Sequence, residues 1–255
     1  MSGVLDGQAV VVTGGATGIG LAISRRLLAD GASLLVGART AEEAEKSVGA
    51  LDGRVVTFAG DLAQPGGADD LLAAAVEAFG QVYALVNNAG GGVIRPTLDH
   101  TEDTLRATID NNLWTTLRAS LAFLPHLVEC GGGRIVNIGA ESVRNGLTAH
   151  AVYNAAKGGV HALAVGLARE FAHAGVAVNT VAPSYTLTPE LAAAIADHEL
   201  PPELEPVVRD AVDLIPMGRA AEPDEIAGAV AYLLRPEAGF VTGQTISVNG
   251  GSSMA

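Results

Sequence analysis

The chain has 255 residues, of which 49% are hydrophobic, 17% charged and 4% aromatic, and its 28 acidic and 15 basic side chains give a formal net charge of -13. That length fits one large domain or two small ones and can bury a sizeable core, which excludes a disordered or disulfide-stapled chain. The negative balance argues against nucleic acid and against an anionic membrane surface as partners, because both call for a basic face.

Short β-branched runs alternate with Ala/Leu-rich stretches almost to the end of the chain. Residues 9–13 (AVVVT) are continuously apolar, the pattern of a strand buried on both faces. The spacing of Ile19, Ile23, Leu27 and Leu28 predicts a helix over 19–30, with Gly31 placed to end it. A second strand follows at 33–36, a short polar helix at 42–48 and a third strand at 54–58. A helix over 71–79 ends at Gly80, and the fourth strand is 83–86. The stretch 101–129 reads as one long helical region with Pro125 inside it. Strand five at 134–138, a helix at 153–174, strand six at 176–181, a helix at 222–234 and a strand at 245–248 complete the series.

Such alternation implies right-handed crossovers and an α/β fold, a doubly wound parallel sheet with helices on both faces. No linker or composition break interrupts it, so the expectation is a single domain over 1–255. Residues 184–216, rich in Pro, Glu and Leu without clean periodicity, are expected to form an irregular lid over the site. Cys130 is the single cysteine and no Cys/His cluster has ligand spacing, so no metal site is expected. The opening MSGVLDGQAVVV has no basic n-region, and no apolar run reaches the roughly 20 residues that span a bilayer. A cytoplasmic protein is the expectation.

The chemistry gathers at the carboxyl ends of the strands, where open α/β sheets bind ligands. The first strand runs into Thr13-Gly-Gly-Ala-Thr17-Gly18-Ile19-Gly20 and then a helix. Such a turn offers free N–H groups and the positive end of a helix dipole, a site suited to phosphate, although tight turns need glycine anyway. After the second strand stands Arg39, where an acidic residue would bind both ribose hydroxyls of NAD(H). A guanidinium there suits the 2′-phosphate of NADP(H), so NADP(H) is the expected cofactor and NAD(H) the alternative; the plainer reading is a solvated arginine. Asp61, followed by Leu62, can accept from an adenine amino group or cap a helix, and Asn87-Asn88-Ala89-Gly90 can pass under a ribose or simply make a turn.

Tyr153 and Lys157 are four apart on one helix and share a face. A phenol with an ordinary pKa near 10 is a poor base at neutral pH, and a neighbouring ammonium stabilises its phenolate. Such a tyrosine can take a hydroxyl proton as hydride leaves, or return one during reduction. Tyr and Lys at this spacing on a surface helix would mean nothing alone.

With these residues in this order, the chain resembles the short-chain dehydrogenase/reductase family over nearly its whole length. The resemblance rests on TGGATGIG, Asp61, NNAG, Asn112 in NNLWTT, YNAAK, and the PMGR…EIA…TGQ…VNGG tail. It implies one Rossmann-like domain of about seven parallel strands, assembled as a homotetramer. It implies that Tyr153 is the acid/base, that Lys157 lowers its pKa and binds the nicotinamide ribose, and that Asn112 holds a water in a proton relay. Asn88 falls at the cofactor ribose, and Thr186 and Thr188 at the carboxamide and pyrophosphate. Two positions depart from the pattern. The family's serine thirteen residues before the tyrosine is Ala140 here, and Ser142 is expected to supply the missing hydroxyl; Ser184 replaces a glycine after Pro183.

The reading that follows is an oxidoreductase interconverting a small secondary alcohol and a ketone by hydride transfer. The stretch from Asn87 to Pro125, with GGVIRP and LPH, is similar to cis-dihydrodiol dehydrogenases of aromatic degradation, of the p-cumate or benzoate dihydrodiol type. A 3-oxoacyl thioester reductase is another alternative, favouring a basic patch for an acidic carrier. A non-catalytic dinucleotide sensor is a third, supported by Ala140 alone and opposed by the intact Tyr153, Lys157 and Asn112. His150 is expected to be a loop histidine with no catalytic role, contact with substrate being the alternative, and Trp114 to serve helix packing, at a subunit interface if the chain assembles.

Overall fold

A computed structural model describes residues 3–197, 199 and 204–254 of the chain. Strands β1 (Ala9–Thr13), β2 (Ser33–Ala38), β3 (Val55–Ala59), β4 (Ala84–Asn87), β5 (Gly133–Ile138), β6 (Val176–Pro183) and β7 (Thr245–Val248) form one sheet. Every pairing is parallel, in the order β3-β2-β1-β4-β5-β6-β7. This is the doubly wound, Rossmann-like single domain expected from the alternation of strands and helices.

Both faces are covered because successive strand residues point to opposite sides. Val10, Val12, Leu34, Val36, Ala84 and Val86 face one core with Ile23 and Leu27 of α1 (Gly18–Ala29) and Ile226 and Val230 of α10 (Pro223–Leu234). Val11, Leu35, Leu85 and Ile135 face the other. There they meet Leu71 of α3 (Gly67–Phe79), Phe123 of α5 (Thr115–Glu129) and Leu167 of α7 (Ala151–Phe171). Phe123, Leu71 and Ile23 are wholly buried, each contributing about 1.5–3 kcal/mol of apolar transfer.

The sequence expectation changes in two places. The long helical region over 101–129 is α4 (Glu102–Ile109), a π turn over Asp110–Trp114, and α5. A π turn inserts an extra residue and turns Asn112 inward. The stretch over 184–216 is not irregular: it carries α8 (Pro189–Ala196) and α9 (Glu205–Asp213). Thr188 caps α8 through its hydroxyl and Pro189 fills the first turn, so Thr-Pro-Glu is a helix start that the missing periodicity hid. Residues 198 and 200–203 of that stretch lie outside the described residues. Among the described residues, no helix is long and apolar enough to cross a membrane and no His/Cys/Asp/Glu group could hold a metal ion. The remaining helices are α2 (Ala41–Val48) and α6 (Ser142–Asn145).

Candidate active site

The chain leaves β1 toward β2 on one side while β4 lies on the other, which opens a crevice above the carboxyl ends of the two central strands. A groove with two communicating cavities lies there. One, of 410 Å³, is lined by Gly14, Thr17, Arg39, Glu43, Asp61, Leu62 and Gly90 among others. The second, of 620 Å³, shares Gly14, Thr17, Ala89 and Gly90 and continues past Gly18, Ile19, Gly20 and Asn88 to Tyr153, Lys157, Thr186 and Thr188.

Backbone sterics shape the middle of the groove. Gly14 has φ 61°, and a Cβ on Gly20 would stand 2.0 Å from the Gly14 carbonyl oxygen, so neither position admits a side chain. The turn is tied to β4 by hydrogen bonds. The Asn88 amide donates to the carbonyls of Thr13 (3.1 Å) and Gly14 (2.9 Å). The Thr13 hydroxyl accepts from the N–H groups of Asn88 and Ala89. Asn88 therefore stitches the two strand ends, and its donors are spent on backbone. The Gly18 N–H donates to a carboxylate oxygen of Glu190 at 3.4 Å. An anion already sits at the start of α1, as the N-terminus of a helix favours. This cradle of backbone, too tight for any Cβ and already drawing a carboxylate, fits a dinucleotide pyrophosphate.

In the smaller cavity, Arg39 donates through its guanidinium to Asn111 Oδ1 (3.0 Å) and through its backbone N–H to Glu43 Oε2 (3.1 Å). The Arg39 backbone thus holds a carboxylate that the sequence pattern did not single out. Asp61 Oδ1 accepts from the Ala63 N–H (2.9 Å), an Asx turn. The helix-cap alternative for Asp61 does not hold, because α3 begins at Gly67.

At the far end, Lys157 is 4% exposed and its Nζ donates to the Ile138 carbonyl at the tip of β5 (2.8 Å). The same Nζ stands 5.8 Å from the Tyr153 ring. Burial pulls the Lys157 ammonium down to about 8 and pushes the Tyr153 phenol up to about 12. In the protein alone, desolvation outweighs the help that the ammonium gives the phenolate. A further positive charge placed against the phenol would move it back down.

Asn112 is wholly buried and lines neither cavity. Its amide donates to the Gly91 carbonyl (2.9 Å) and the Thr108 carbonyl (2.8 Å), and its Oδ1 accepts from the Gly91 N–H (3.2 Å). The side chain holds the 90–91 segment in place. A Cβ on Gly90 would meet Asn112 Oδ1 at 2.8 Å and Lys157 Nζ at 3.3 Å, so this backbone passes as close to the lysine as a glycine allows.

Ala140 donates its N–H to Nε2 of His161 (3.2 Å). Burial, with the charges of Arg144 and Lys157, holds that imidazole down to about 4, which keeps it a neutral acceptor. Ser142, the first residue of α6, is 6% exposed, faces the larger cavity and has no partner for its Oγ. His150 also lines this cavity; its ring meets the Tyr153 ring edge-on at 6.0 Å, and its Nδ1 contacts the Thr148 carbonyl. Trp114 is 42% exposed beneath the Arg118 guanidinium, away from the groove.

Sequence reasoning missed Glu141, Asn145, Tyr185 and Ser252, which line the larger cavity with buried oxygens that have no partner. Glu141 adjoins the substituted Ala140, the one signal that pointed to it.

The family model described as short chain dehydrogenase matches residues 8–199. The chain is 54% identical over 262 residues to the 2,3-dihydroxy-2,3-dihydro-p-cumate dehydrogenase of Pseudomonas putida, across 98% of this chain and 96% of that protein. It is 38% identical to a galactitol 2-dehydrogenase (L-tagatose-forming) of Cereibacter sphaeroides, across 97% of this chain and 95% of the relative. It is 36% identical to a 3-oxoacyl-(acyl-carrier-protein) reductase of Vibrio cholerae, across 98% and 99%.

Proposed function

The chain belongs to the short-chain dehydrogenase family, and from that premise we propose that it oxidises a ring cis-dihydrodiol, with Tyr153 as the proton acceptor. At the coarser level it is a nicotinamide-dependent oxidoreductase interconverting a secondary alcohol and a ketone. The observation that carries the finer reading is the 54% identity to a dihydrodiol dehydrogenase over nearly the whole of both chains. A 3-oxoacyl reductase finds support in a 36% relative only. A sensor has no use for a buried Tyr–Lys pair.

When bound, the nicotinamide supplies the acceptor for the hydride that leaves the carbinol carbon. Tyr153 acts as the phenolate, whose negative charge the Lys157 ammonium one turn on offsets; its Oη takes the proton of the hydroxyl on that carbon and so returns to the neutral phenol. Ser142 Oγ, unpartnered at the same cavity, donates to the oxygen as it becomes a carbonyl. Asn112 holds the 90–91 backbone against the lysine. Loss of hydride and proton from a dihydrodiol leaves a ring one tautomerisation short of a catechol, which gives the oxidative direction its driving force.

Gly14, Thr17, Gly18, Ile19, Gly20, Asp61, Leu62, Asn88, Ala89, Gly90, Thr186 and Thr188 line the path assigned to the cofactor. Among the described residues, Arg39 is the one cation lining the smaller cavity, which supports NADP(H) over NAD(H). Exposed Trp114, Leu121 and Val128, in the π turn and α5, with Val165 on α7, support assembly into a homotetramer. Residues 184–216 are read as a lid whose α8 closes on the glycine turn.

The test is a turnover panel with NADPH, NADH and their oxidised forms against cis-dihydrodiols, mono-alcohols and 3-oxoacyl thioesters. Diols are expected to be the fastest substrates, and Arg39→Asp to reverse the cofactor preference. Thioester reduction outpacing diol oxidation would contradict the substrate assignment.

A further inference from the structure

Around Tyr153 the larger cavity holds an unusual concentration of orphaned polar atoms. The Oε2 of Glu141 and the Oγ of Ser142 are buried without a hydrogen-bond partner, as are Asn145 Oδ1, Tyr185 OH and Ser252 Oγ. Glu141 is the sharpest case. It is 0% exposed, forms no ion pair among the described residues, and is held from behind by the Ser253 hydroxyl, which donates to its other oxygen. Its backbone is fixed as well: its N–H donates to the Pro183 carbonyl (2.9 Å), and its carbonyl accepts from Arg144 and Asn145. Lys157, the one lysine or arginine among the described residues lining this cavity, spends a proton on Ile138. A buried carboxylate oxygen left without a donor is costly, so a rigid one on a residue that lines a substrate cavity points to a ligand that brings the donor as it settles against the wall.

We infer that Glu141 Oε2 accepts a hydrogen bond from the hydroxyl adjacent to the one being oxidised, making Glu141 the residue that reads a vicinal diol. The inference rests on the dihydrodiol reading and adds to it the residue that distinguishes a diol from a mono-alcohol. The reacting hydroxyl is taken by Tyr153 and Ser142, so a mono-alcohol leaves Glu141 unsatisfied, whereas a cis-diol presents its second O–H on the same face of the ring. Ser253, four residues past Asn249, brings the C-terminal tail into the site as the group that orients the carboxylate.

The experiment compares kcat/KM for cis-cyclohexenediol and cyclohexenol, two substrates differing by one hydroxyl, in wild type, Glu141→Leu, Glu141→Gln and Ser253→Ala. The wild type is expected to prefer the diol by about 10- to 100-fold. In Glu141→Leu that ratio collapses toward unity with an unchanged or raised Tm, because the substitution removes an orphaned acceptor. Glu141→Gln, which keeps an acceptor oxygen, and Ser253→Ala, which frees the carboxylate, both retain an intermediate ratio. Should the leucine variant not fold, the ratios in the other two decide. A preference unchanged across the variants overturns the inference, as does a lowered Tm with equal loss on both substrates, which marks a structural role. Wild type oxidising both alcohols equally overturns it while leaving alcohol oxidation standing. Oxidation of neither overturns the function itself.

Discussion

The two ends of the groove are built on opposite principles. At the cofactor end, Thr13, Gly14, Asn88 and Ala89 tie the glycine turn together and satisfy one another, and among the described residues no side chain lining the smaller cavity carries a buried orphaned polar atom. The larger one leaves Glu141, Ser142, Asn145, Ser184, Tyr185 and Ser252 with buried oxygens unpartnered. A surface that is already satisfied offers shape, N–H dipoles and, at Arg39, a charge, which suits a cofactor common to many reactions. An unsatisfied one specifies what its ligand must donate and accept, which suits a particular substrate.

If that contrast holds, damage to the two ends should show up in different constants. Ser142→Ala at the unsatisfied end should lower kcat by about 10²–10³, as for loss of an oxyanion-type donor, with little change in cofactor affinity. Stopped-flow and steady-state rates on one diol check this, and an unchanged kcat would mean that Ser142 does not replace the serine missing at Ala140. At the satisfied end, Glu190→Gln should tighten the dinucleotide several-fold and leave kcat/KM ratios between substrates alone, because a carboxylate now occupies the Gly18 N–H that a phosphate would take. Calorimetric titration with NADPH measures it, and weaker binding in the variant would show that the carboxylate assists the cofactor.

The smallest effect concerns the link between the site and α7. His161 is held neutral with its pKa down to about 4, against an ordinary value near 6.5. Below the ordinary value the unfolded chain takes up a proton that the folded chain refuses, so this histidine costs stability progressively as pH falls from about 6.5 toward 4. Above about 6.5 the cost is absent. Thermal melts should therefore show a smaller acid-side loss in Tm for His161→Gln than for the wild type, since the glutamine can accept from Ala140 without titrating. Parallel curves for the two proteins would sever that link.

What could be read from the chain follows the same division. The buried parallel strands were legible because runs such as AVVVT need no context. The glycine turn was legible because sterics demand glycine at 14 and 20 wherever the chain folds back so tightly. Tyr153 and Lys157 were legible from helical spacing. Arg39 was legible as a cation but not as one with Glu43 on its backbone, because that contact depends on how α2 leaves β2. Helices α8 and α9 were obscured because their apolar faces are short, although Thr188 and Pro189 carried a capping signal. Glu141 was invisible for a stronger reason. Nothing in Ile-Gly-Ala-Glu-Ser says that a glutamate will be wholly buried, and only the packing of β6 and the Ser253 tail against it makes that so. For Asn112 the resemblance implied a place in a proton relay, while the bonds its side chain makes to the Gly91 and Thr108 backbone depend on the π turn, which the sequence did not display.

The central claim is that Tyr153, at the substrate end, carries the proton in diol oxidation. It is tested most directly by following catechol formation and dinucleotide reduction together, from an aromatic cis-dihydrodiol, in wild type and Tyr153→Phe with cofactor affinity measured in both. The expected result is one catechol per reduced dinucleotide in the wild type, a rate at least about 10²-fold lower in the variant, and the same cofactor affinity in each. A variant that turns over at the wild-type rate, or a wild type that binds the dinucleotide and oxidises no diol, would contradict it.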